Sequence, residues 1–238
     1  MARSDVRYQS LAWLSPRAGT SFSRRSRAPR TGTARDPTGA SSVTDEATTD
    51  RRTTILAHAA RLFARQGVSA TSVREIAQEV GMLSGSLYHH FASKDEIVQE
   101  ILLSYLDELL QRYDEIVAAD LAPAKAFEQL VRVSLTTIQH HPYATEIYQN
   151  DAAYLQRLPR GEEIAEAGQR VPATWLKVIR AGVEAGDFRD DIPPRIFYNL
   201  LRDALWRSVQ WFDPQRGHDW HQLADDVLMV FLHGYAAR

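Results

Sequence analysis

The sequence predicts an all-α protein of about nine helices, and three observations lead to this prediction. Apolar residues recur at intervals of three and four along most of the chain after residue 50, which is the spacing of one helical face. Glycines and prolines interrupt this pattern as helix ends do. No segment shows the sustained alternation of apolar and polar residues that marks a half-buried strand.

Residues 1–50 are expected to form a disordered tail. They are rich in Ser, Thr, Arg, Gly and Pro and contain few large apolar residues, so they offer little that a core could bury. Their eight arginines and five acidic residues give a net charge of +3. Three other interpretations stay open: an extension from a start codon assigned too early, a basic arm for nucleic acid, and a transit peptide.

Four helices are expected between residues 51 and 121. The first ends at Gly67, a natural C-cap, and the second ends at Gly81. The third is short, and a capping box formed by Ser93 and Glu96 begins the long fourth helix. Their apolar faces consist of Ile55, Ala59, Leu62 and Phe63 in the first, Val73, Ile76, Ala77 and Val80 in the second, Leu87, Tyr88 and Phe91 in the third, and Ile97, Ile101, Leu102, Leu106 and Leu109 in the fourth.

Five further helices follow, separated by the breaks that proline and glycine provide. These breaks lie at Ala122-Pro123, His141-Pro142, Leu158-Pro159-Arg-Gly161, Gly186 to Pro194, and Asp213 to Gly217. We expect the last two helices at about 194–211 and 219–236, both with wide apolar faces.

Composition and charge indicate a cytoplasmic protein with a basic head and an acidic body. The chain has no stretch of the roughly 18–20 apolar residues that a membrane span needs. It contains no Cys, which excludes disulfides and thiolate metal sites and suits a reducing cytosol. The net charge of −2 divides into +3 for residues 1–50, +4 for 51–94 and −9 for the remainder. We therefore predict a head at 51–97 and a body at 98–238.

The head has the arrangement of a helix-turn-helix, with two short helices joined at Gly81, and this indicates DNA binding. Thr71 or Ser72 can cap the second helix, whose free N–H groups can then bind a phosphate. The third helix is expected in the major groove, where its small first residues permit a close approach. The candidate DNA-binding residues are Thr71, Ser72, Arg74, Ser84, Gly85, Ser86, Tyr88, His89 and Lys94, the last as a phosphate clamp.

The spacing Gly67-x3-Thr71-Ser72-Val73-x2-Ile76-Ala77-x3-Gly81, followed by Gly85-x-Leu87-Tyr88-x-His90-Phe91-x2-Lys94, resembles the head of the TetR family of repressors. The family usually has Ser or Thr as the cap of the recognition helix, whereas this chain has Leu83 there and Ser84 one residue later. The resemblance implies a homodimer whose last two helices pair with those of its partner. Two-fold symmetry then implies a palindromic operator in double-stranded DNA.

The candidate ligand-binding residues of the body are Tyr148, Gln149, Trp175, Arg202 and Trp206. Arg202 interrupts an apolar helix and can bind a phosphate or carboxylate, and Trp206 lies one turn later on the same face. An Arg202–Asp203 salt bridge with Trp206 in the core is the alternative.

The segments Met82–Lys94, Ile147-Tyr-Gln149 and Leu201-Arg-Asp-x2-Trp206 also resemble the KstR repressors of actinobacteria, which belong to the TetR family. This resemblance implies control of genes for steroid-ring catabolism, with a CoA thioester of a ring fragment as the effector. It places Arg202 against the anionic or carbonyl groups of the thioester and Trp206 against its apolar part. The effector would change the separation of the heads and so lower the affinity for the operator.

Other classes of protein remain possible at this point. A TetR-type regulator of another catabolic or efflux operon would bind a different hydrophobic effector, and a helical dimer could lack DNA binding. His140, His141 and Glu146 superficially suggest a metalloenzyme, but their spacing matches no metal motif. We therefore expect no catalytic residue, no metal and no cofactor.

Overall fold

The computed structural model describes residues 41–234, with side chains from residue 51 onward, and within these limits the chain is helical. The helices are α1 (Ser41–Gln66), α2 (Val73–Glu79), α3 (Ser84–Leu87), α4 (Lys94–Ala118), α5 (Pro123–His140), α6 (Pro142–Asn150), α7 (Ala152–Leu155), α8 (Gly161–Glu184), α9 (Pro194–Trp206), α10 (Ser208–Trp211) and α11 (Trp220–Leu228). A π-helical turn at Met229–His233 continues α11. The all-α prediction is confirmed.

Two segments that were each expected as one helix are divided. The segment after Pro142 breaks at Asp151 into α6 and α7, and the segment 194–211 breaks at Arg207 into α9 and α10. Neither break falls at a glycine or proline, so the sequence pattern did not indicate it. The described residues therefore contain eleven α-helices, two more than the nine expected.

The predicted tail also ends earlier than residue 50. Helix α1 begins at Ser41, so the backbone of residues 41–50 is helical. The rest of the predicted tail, residues 1–40, lies outside the described residues.

The head consists of α1, α2, α3 and the start of α4 around a small apolar core. Ile55, Phe63, Ile76 and Leu87 are completely buried there. Gly67 ends α1 with a φ of 85°, a left-handed conformation that glycine adopts without strain, and its N–H donates to the Phe63 carbonyl at 2.8 Å.

Helix α4 connects the head to the body. Ser93 caps it by accepting from the Glu96 N–H at 3.1 Å, while the Glu96 carboxylate accepts from the Ala92 N–H at 2.6 Å. Its 25 residues span about 38 Å at 1.5 Å per residue. The first half of α4 packs in the head core through Ile97, and the second half packs in the body core through Tyr113. A displacement of α4 therefore involves both parts.

In the body, α5 and α8 pack against the second half of α4, α9 packs against α5 and α8, and α11 packs against α5. Phe127 on α5 lies at its centre and contacts the rings of Trp175, Phe188 and Phe197, with ring centroids 5.5–5.9 Å apart. Within residues 41–234, none of the helices combines the length and the apolar composition that a bilayer crossing requires.

Candidate functional site

The start of α2 gives the two predicted hydroxyls different roles. Ser72 is the cap: its hydroxyl accepts from the Glu75 N–H at 3.2 Å, and the Glu75 carboxylate accepts from the Ser72 N–H at 2.7 Å. The hydrogen bond from the Ser72 side chain lowers the pKa of Glu75. Thr71 is buried, and its hydroxyl donates to the Gly67 carbonyl at 2.8 Å. The Thr71 side chain thus holds the turn between α1 and α2, and only Ser72 presents its side chain to solvent.

The turn between α2 and α3 presents the predicted recognition residues at the surface. Gly85, Tyr88 and His89 are exposed, and Ser84 and Ser86 are half-buried. Space around Gly85 is open, since a Cβ there would meet no atom within 4 Å. Leu83 occupies the N-cap of α3 and forms no side-chain capping hydrogen bond, so the cap is lost and not moved to Ser84.

Lys94 points into the head and not toward a phosphate. Its Nζ donates to the carbonyl of Val68 at 2.8 Å and to that of Thr71 at 2.9 Å, and it lies 5.5 Å from the centre of the Tyr154 ring. Lys94 therefore ties α4 to the segment that joins α1 to α2, and its role as a phosphate clamp stays a prediction. A side chain with two carbonyl partners has little freedom to reach DNA.

Most cations of the head are also engaged inside it. Arg52 binds Glu96 and Glu100 and stacks on the Phe91 ring. Arg61 pairs with Glu79, and Arg51 donates to the Val80 carbonyl at 3.2 Å. Two arginines of the head have no hydrogen bond or ion pair to any residue in the described part of the chain. They are Arg65 and Arg74, both exposed.

A cavity of about 700 Å³ lies in the body between α4, α6, α8 and α9. Four of the five predicted ligand residues line it: Tyr148 and Gln149 from α6, and Arg202 and Trp206 from α9. Helix α4 contributes part of the wall through Tyr105, Leu106 and Leu109. The volume lies within the range of about 300–1,000 Å³ that is usual for small-molecule sites.

Trp175, the fifth predicted ligand-binding residue, does not line this cavity. Its ring is completely buried in the body core, where the indole N–H donates to the Tyr113 hydroxyl at 2.9 Å. The Phe127 ring packs against it edge to face. Trp175 is therefore a core residue and does not line the cavity.

Trp206 joins three walls of the cavity. Its indole N–H donates to the Tyr105 hydroxyl at 3.1 Å, and its carbonyl accepts from Gln149 Nε2 at 2.8 Å. Trp206 is only 8% exposed, yet its remaining surface faces the cavity. The predicted binding role and a core position are thus compatible for this residue.

The position of Arg202 is compatible with both interpretations that the sequence left open, a salt bridge with Asp203 and a contact with a ligand. Its guanidinium donates to Asp203 Oδ1 at 2.8 and 2.9 Å, and it also lines the cavity. Because both side chains are about half exposed, their attraction contributes little stability and an anionic ligand can compete for Arg202.

Sequence reasoning missed two arginines and an asparagine at the cavity. Arg195, Asn199 and Arg207 also line it, and the first two precede Arg202 by seven and three residues on α9. Arg195, Asn199, Arg202 and Trp206 recur at helical spacing along one side of α9, and this pattern is visible in the sequence. The cavity wall therefore contains three arginines and a single carboxylate, Asp203.

Tyr148 reaches its position because α8 has a glycine opposite it. A Cβ on Gly168 would lie 1.9 Å from the Tyr148 hydroxyl and 3.1 Å from Cζ. Burial raises the pKa of Tyr148, so the hydroxyl stays protonated and can donate to a ligand.

The histidines that suggested a metalloenzyme face the Glu108 carboxylate at the side of α4. His141 Nε2 lies 2.6 Å from the Glu108 carboxylate, and His140 Nδ1 lies 3.9 Å from it. The neighbouring His140 and His141 rings hold the pKa of the Glu108 carboxyl well below its usual range. Residues 51–234 contain no group of three or more His, Asp or Glu side chains placed to hold a metal ion.

Two family models match the chain. The model for bacterial regulatory proteins of the tetR family matches residues 55–101, and a tetracyclin repressor-like C-terminal domain matches residues 120–235. Together with the relatives below, these matches identify the class of protein: the chain belongs to the TetR family of transcriptional regulators. The predicted family and the predicted regulator, as opposed to an enzyme, are confirmed by these similarities.

The relatives point to a particular group within that family. The HTH-type transcriptional repressor KstR2 of Mycobacterium tuberculosis is 39% identical over 184 residues, which cover 77% of this chain and 92% of that protein. KstR2 of Rhodococcus jostii is 40% identical over 187 residues, covering 79% and 92%. The structure of the ketosteroid transcriptional regulator KstR2 of M. tuberculosis matches with a TM-score of 0.73 and 38% identity, covering 79% of this chain and 96% of that one. The chain is a TetR-type transcriptional repressor similar to KstR2.

Proposed function

We propose that this chain binds a two-fold symmetric operator as a homodimer in the cytoplasm and is released from it by an anionic thioester in the body cavity. The effector that fits best is a CoA thioester of a steroid-ring catabolite. The name "ketosteroid transcriptional regulator" of a relative that is 38% identical supports the steroid part of this proposal.

The observation that carries the effector proposal is the set of side chains that α9 and the residue after it, Arg207, present to the cavity. Arg195, Arg202 and Arg207 can bind the phosphates or the carbonyl of a thioester through charge-assisted hydrogen bonds. Trp206 offers a flat apolar surface to a ring system. Because all three arginines are exposed and Trp206 is buried, the ring fragment fits inside and the charged part lies near the opening.

The proposed contacts with DNA involve fewer residues than the sequence suggested. Ser72 and Arg74 lie at the start of α2, where they can bind a phosphate. Around α3, the residues proposed to contact bases and phosphates are Ser84, Gly85, Ser86, Tyr88 and His89. Thr71 and Lys94 position this surface from inside the head.

Helix α4 provides a direct connection between the two sites. Tyr105, Leu106 and Leu109 line the cavity, while Ile97 and Leu102 of the same helix are buried in the head core. A ligand that favours another position of α4 therefore changes the separation of the two heads. A coupling of about 1–3 kcal/mol between the two sites suffices to change operator occupancy several-fold to a hundredfold.

Exposed apolar side chains near the C-terminal end support the proposed dimer. Ile196 and Leu200 on α9, Trp211 on α10, and Met229 and Val230 after α11 are each 45–60% exposed. A cluster of this kind on a monomer marks an interaction surface. We expect Leu200→Asp to yield a monomer in sedimentation analysis and to abolish operator binding.

The decisive experiment measures binding of the purified protein to its own promoter DNA by fluorescence anisotropy. The DNA is titrated with and without a steroid-ring CoA thioester, with free CoA and with the free ring acid as further probes. We expect specific binding that the thioester alone reverses. Arg202→Ala should raise the thioester concentration for half-release roughly 10- to 150-fold, because a hydrogen bond to a charged group contributes about 1.5–3 kcal/mol.

Two matched controls separate a binding defect from general damage. Arg180→Ala removes an exposed arginine of α8 that does not line the cavity, and it should leave release unchanged. Trp206→Phe should weaken the response to the thioester, whereas Trp175→Phe should lower thermal stability without changing the response. Specific binding that the thioester does not reverse would contradict the proposed effector. Absence of specific binding to the promoter DNA at low salt would contradict the proposed operator binding.

A further inference from the structure

Leu83 has an unusual position for an aliphatic side chain. It is 79% exposed, more than any other large apolar residue of the described chain. It lies in the head, between α2 and α3, whereas most of the other exposed apolar residues lie on α9, α10 and the end of α11. The proposed dimer surface therefore does not account for it.

Folding of the head gains nothing from leucine at this position. Leu83 is the N-cap of α3, with an extended backbone (φ −74°, ψ 144°), and a Ser, Thr, Asn or Asp side chain here would accept a hydrogen bond from a free N–H of the helix. Leucine forms no such bond, and only the neighbouring Leu87 reaches the core. The side chain neither caps nor packs, which points to a contact outside the chain.

The surroundings of Leu83 favour the major groove of DNA as that contact. In a helix-turn-helix the first residues of the recognition helix face the base edges. Open space around Gly85 allows the backbone beside Leu83 to approach them closely. An aliphatic side chain finds one apolar group on the base edges of the major groove, the 5-methyl group of thymine.

We propose that Leu83 determines part of the operator sequence by packing on a thymine methyl group in each half-site. This inference rests on the proposed operator binding and adds a specific base to it. It also gives a reason for the lost cap: an apolar contact with DNA replaces a hydrogen bond within the helix.

The test replaces single thymines of the operator by uracil, which removes only the methyl group. For the unaltered protein we expect one thymine in each half-site whose replacement weakens binding about four-fold, as burial of one methyl-sized group predicts. Uracil at the other thymines should have no effect. Leu83→Ala should bind the thymine and uracil operators equally at that position and should keep the melting temperature, because the side chain is exposed.

The possible results distinguish a failure of the methyl contact from a failure of operator binding. Specific binding with no thymine that distinguishes the unaltered protein from Leu83→Ala would overturn the methyl contact and leave the operator intact. If Leu83→Ala weakened thymine and uracil operators by the same factor, the leucine would act on something other than the methyl group. Loss of all specific binding by the unaltered protein would overturn both proposals together.

Discussion

Replacement of Lys94 by methionine tests whether this lysine ties the head together or contacts DNA. Its Nζ donates to the carbonyls of Val68 and Thr71, two residues that are essentially buried between α1 and α2. Without it the Val68 carbonyl keeps only the longer bond from the Thr71 N–H at 3.3 Å. Methionine keeps an unbranched chain of similar length but cannot donate.

The expected loss of stability follows from these two bonds. A hydrogen bond to a charged group contributes about 1.5–3 kcal/mol, and water can replace part of it because Lys94 is only half-buried. We therefore expect Lys94→Met to lower the free energy of unfolding by about 2–4 kcal/mol. For a chain of this size that lowers the melting temperature by roughly 4–16 °C.

The assay combines thermal unfolding with the salt dependence of DNA binding. Lys177→Met is the matched control, because Lys177 is exposed on α8 and has no partner among the described residues. A lysine that binds a phosphate contributes about one unit to the slope of log K against log salt concentration. We expect that slope to be unchanged in Lys94→Met. An unaltered melting temperature with a slope reduced by about one unit would refute the internal tie and restore the phosphate clamp.

Two further substitutions test the cavity and the link beside it. Gly168→Ala should drive the Tyr148 ring into the cavity and weaken effector binding about ten-fold, since its Cβ would lie 1.9 Å from the hydroxyl. Tyr148→Phe removes that atom, so adding Gly168→Ala to Tyr148→Phe should weaken binding much less than Gly168→Ala weakens the unaltered protein; an equal further loss would contradict this reasoning. Glu108→Gln should destabilise the protein at neutral pH, because the His140 and His141 rings beside the Glu108 carboxyl lower its pKa in the folded state. That stabilisation is present above the unfolded pKa of about 4.3 and is lost as the pH falls through the folded value, so urea unfolding of the two proteins should converge in strong acid and differ at pH values above about 5.

Much of the fold was predictable because glycine and proline end the helices. Gly67 and Pro123 lie at or next to helix ends, as the sequence suggested. The breaks at Asp151 and Arg207 were not predictable, since both residues are tolerated inside helices. Packing of α6, α7, α9 and α10 against their neighbours, which no local pattern reveals, decides where these helices end.

The sequence predicts a cavity residue best where a charged side chain interrupts an apolar helix. Arg202 is such a residue, and it does line the cavity. Trp175 is an aromatic residue on an apolar face, so the sequence does not distinguish it from an ordinary core residue. Its indole N–H donates to the Tyr113 hydroxyl in the core. A tryptophan in the sequence gives its size and its single donor, but not the partner that satisfies the donor.

The charge of the head shows why a count of charged residues overestimates the cations that are free to bind phosphate. Residues 51–94 have a net charge of +4, which predicts strong attraction to phosphate. In the fold Arg52 and Arg61 face carboxylates, and Lys94 faces carbonyls, because long side chains reach partners that are distant in sequence. A paired cation still contributes to the field of the head, but its own contacts restrict the directions from which it can bind a phosphate. Among the cations of the head we therefore propose direct contacts with DNA phosphates only for Arg65 and Arg74, and this gives the proposed base contact of Leu83 a larger share of recognition.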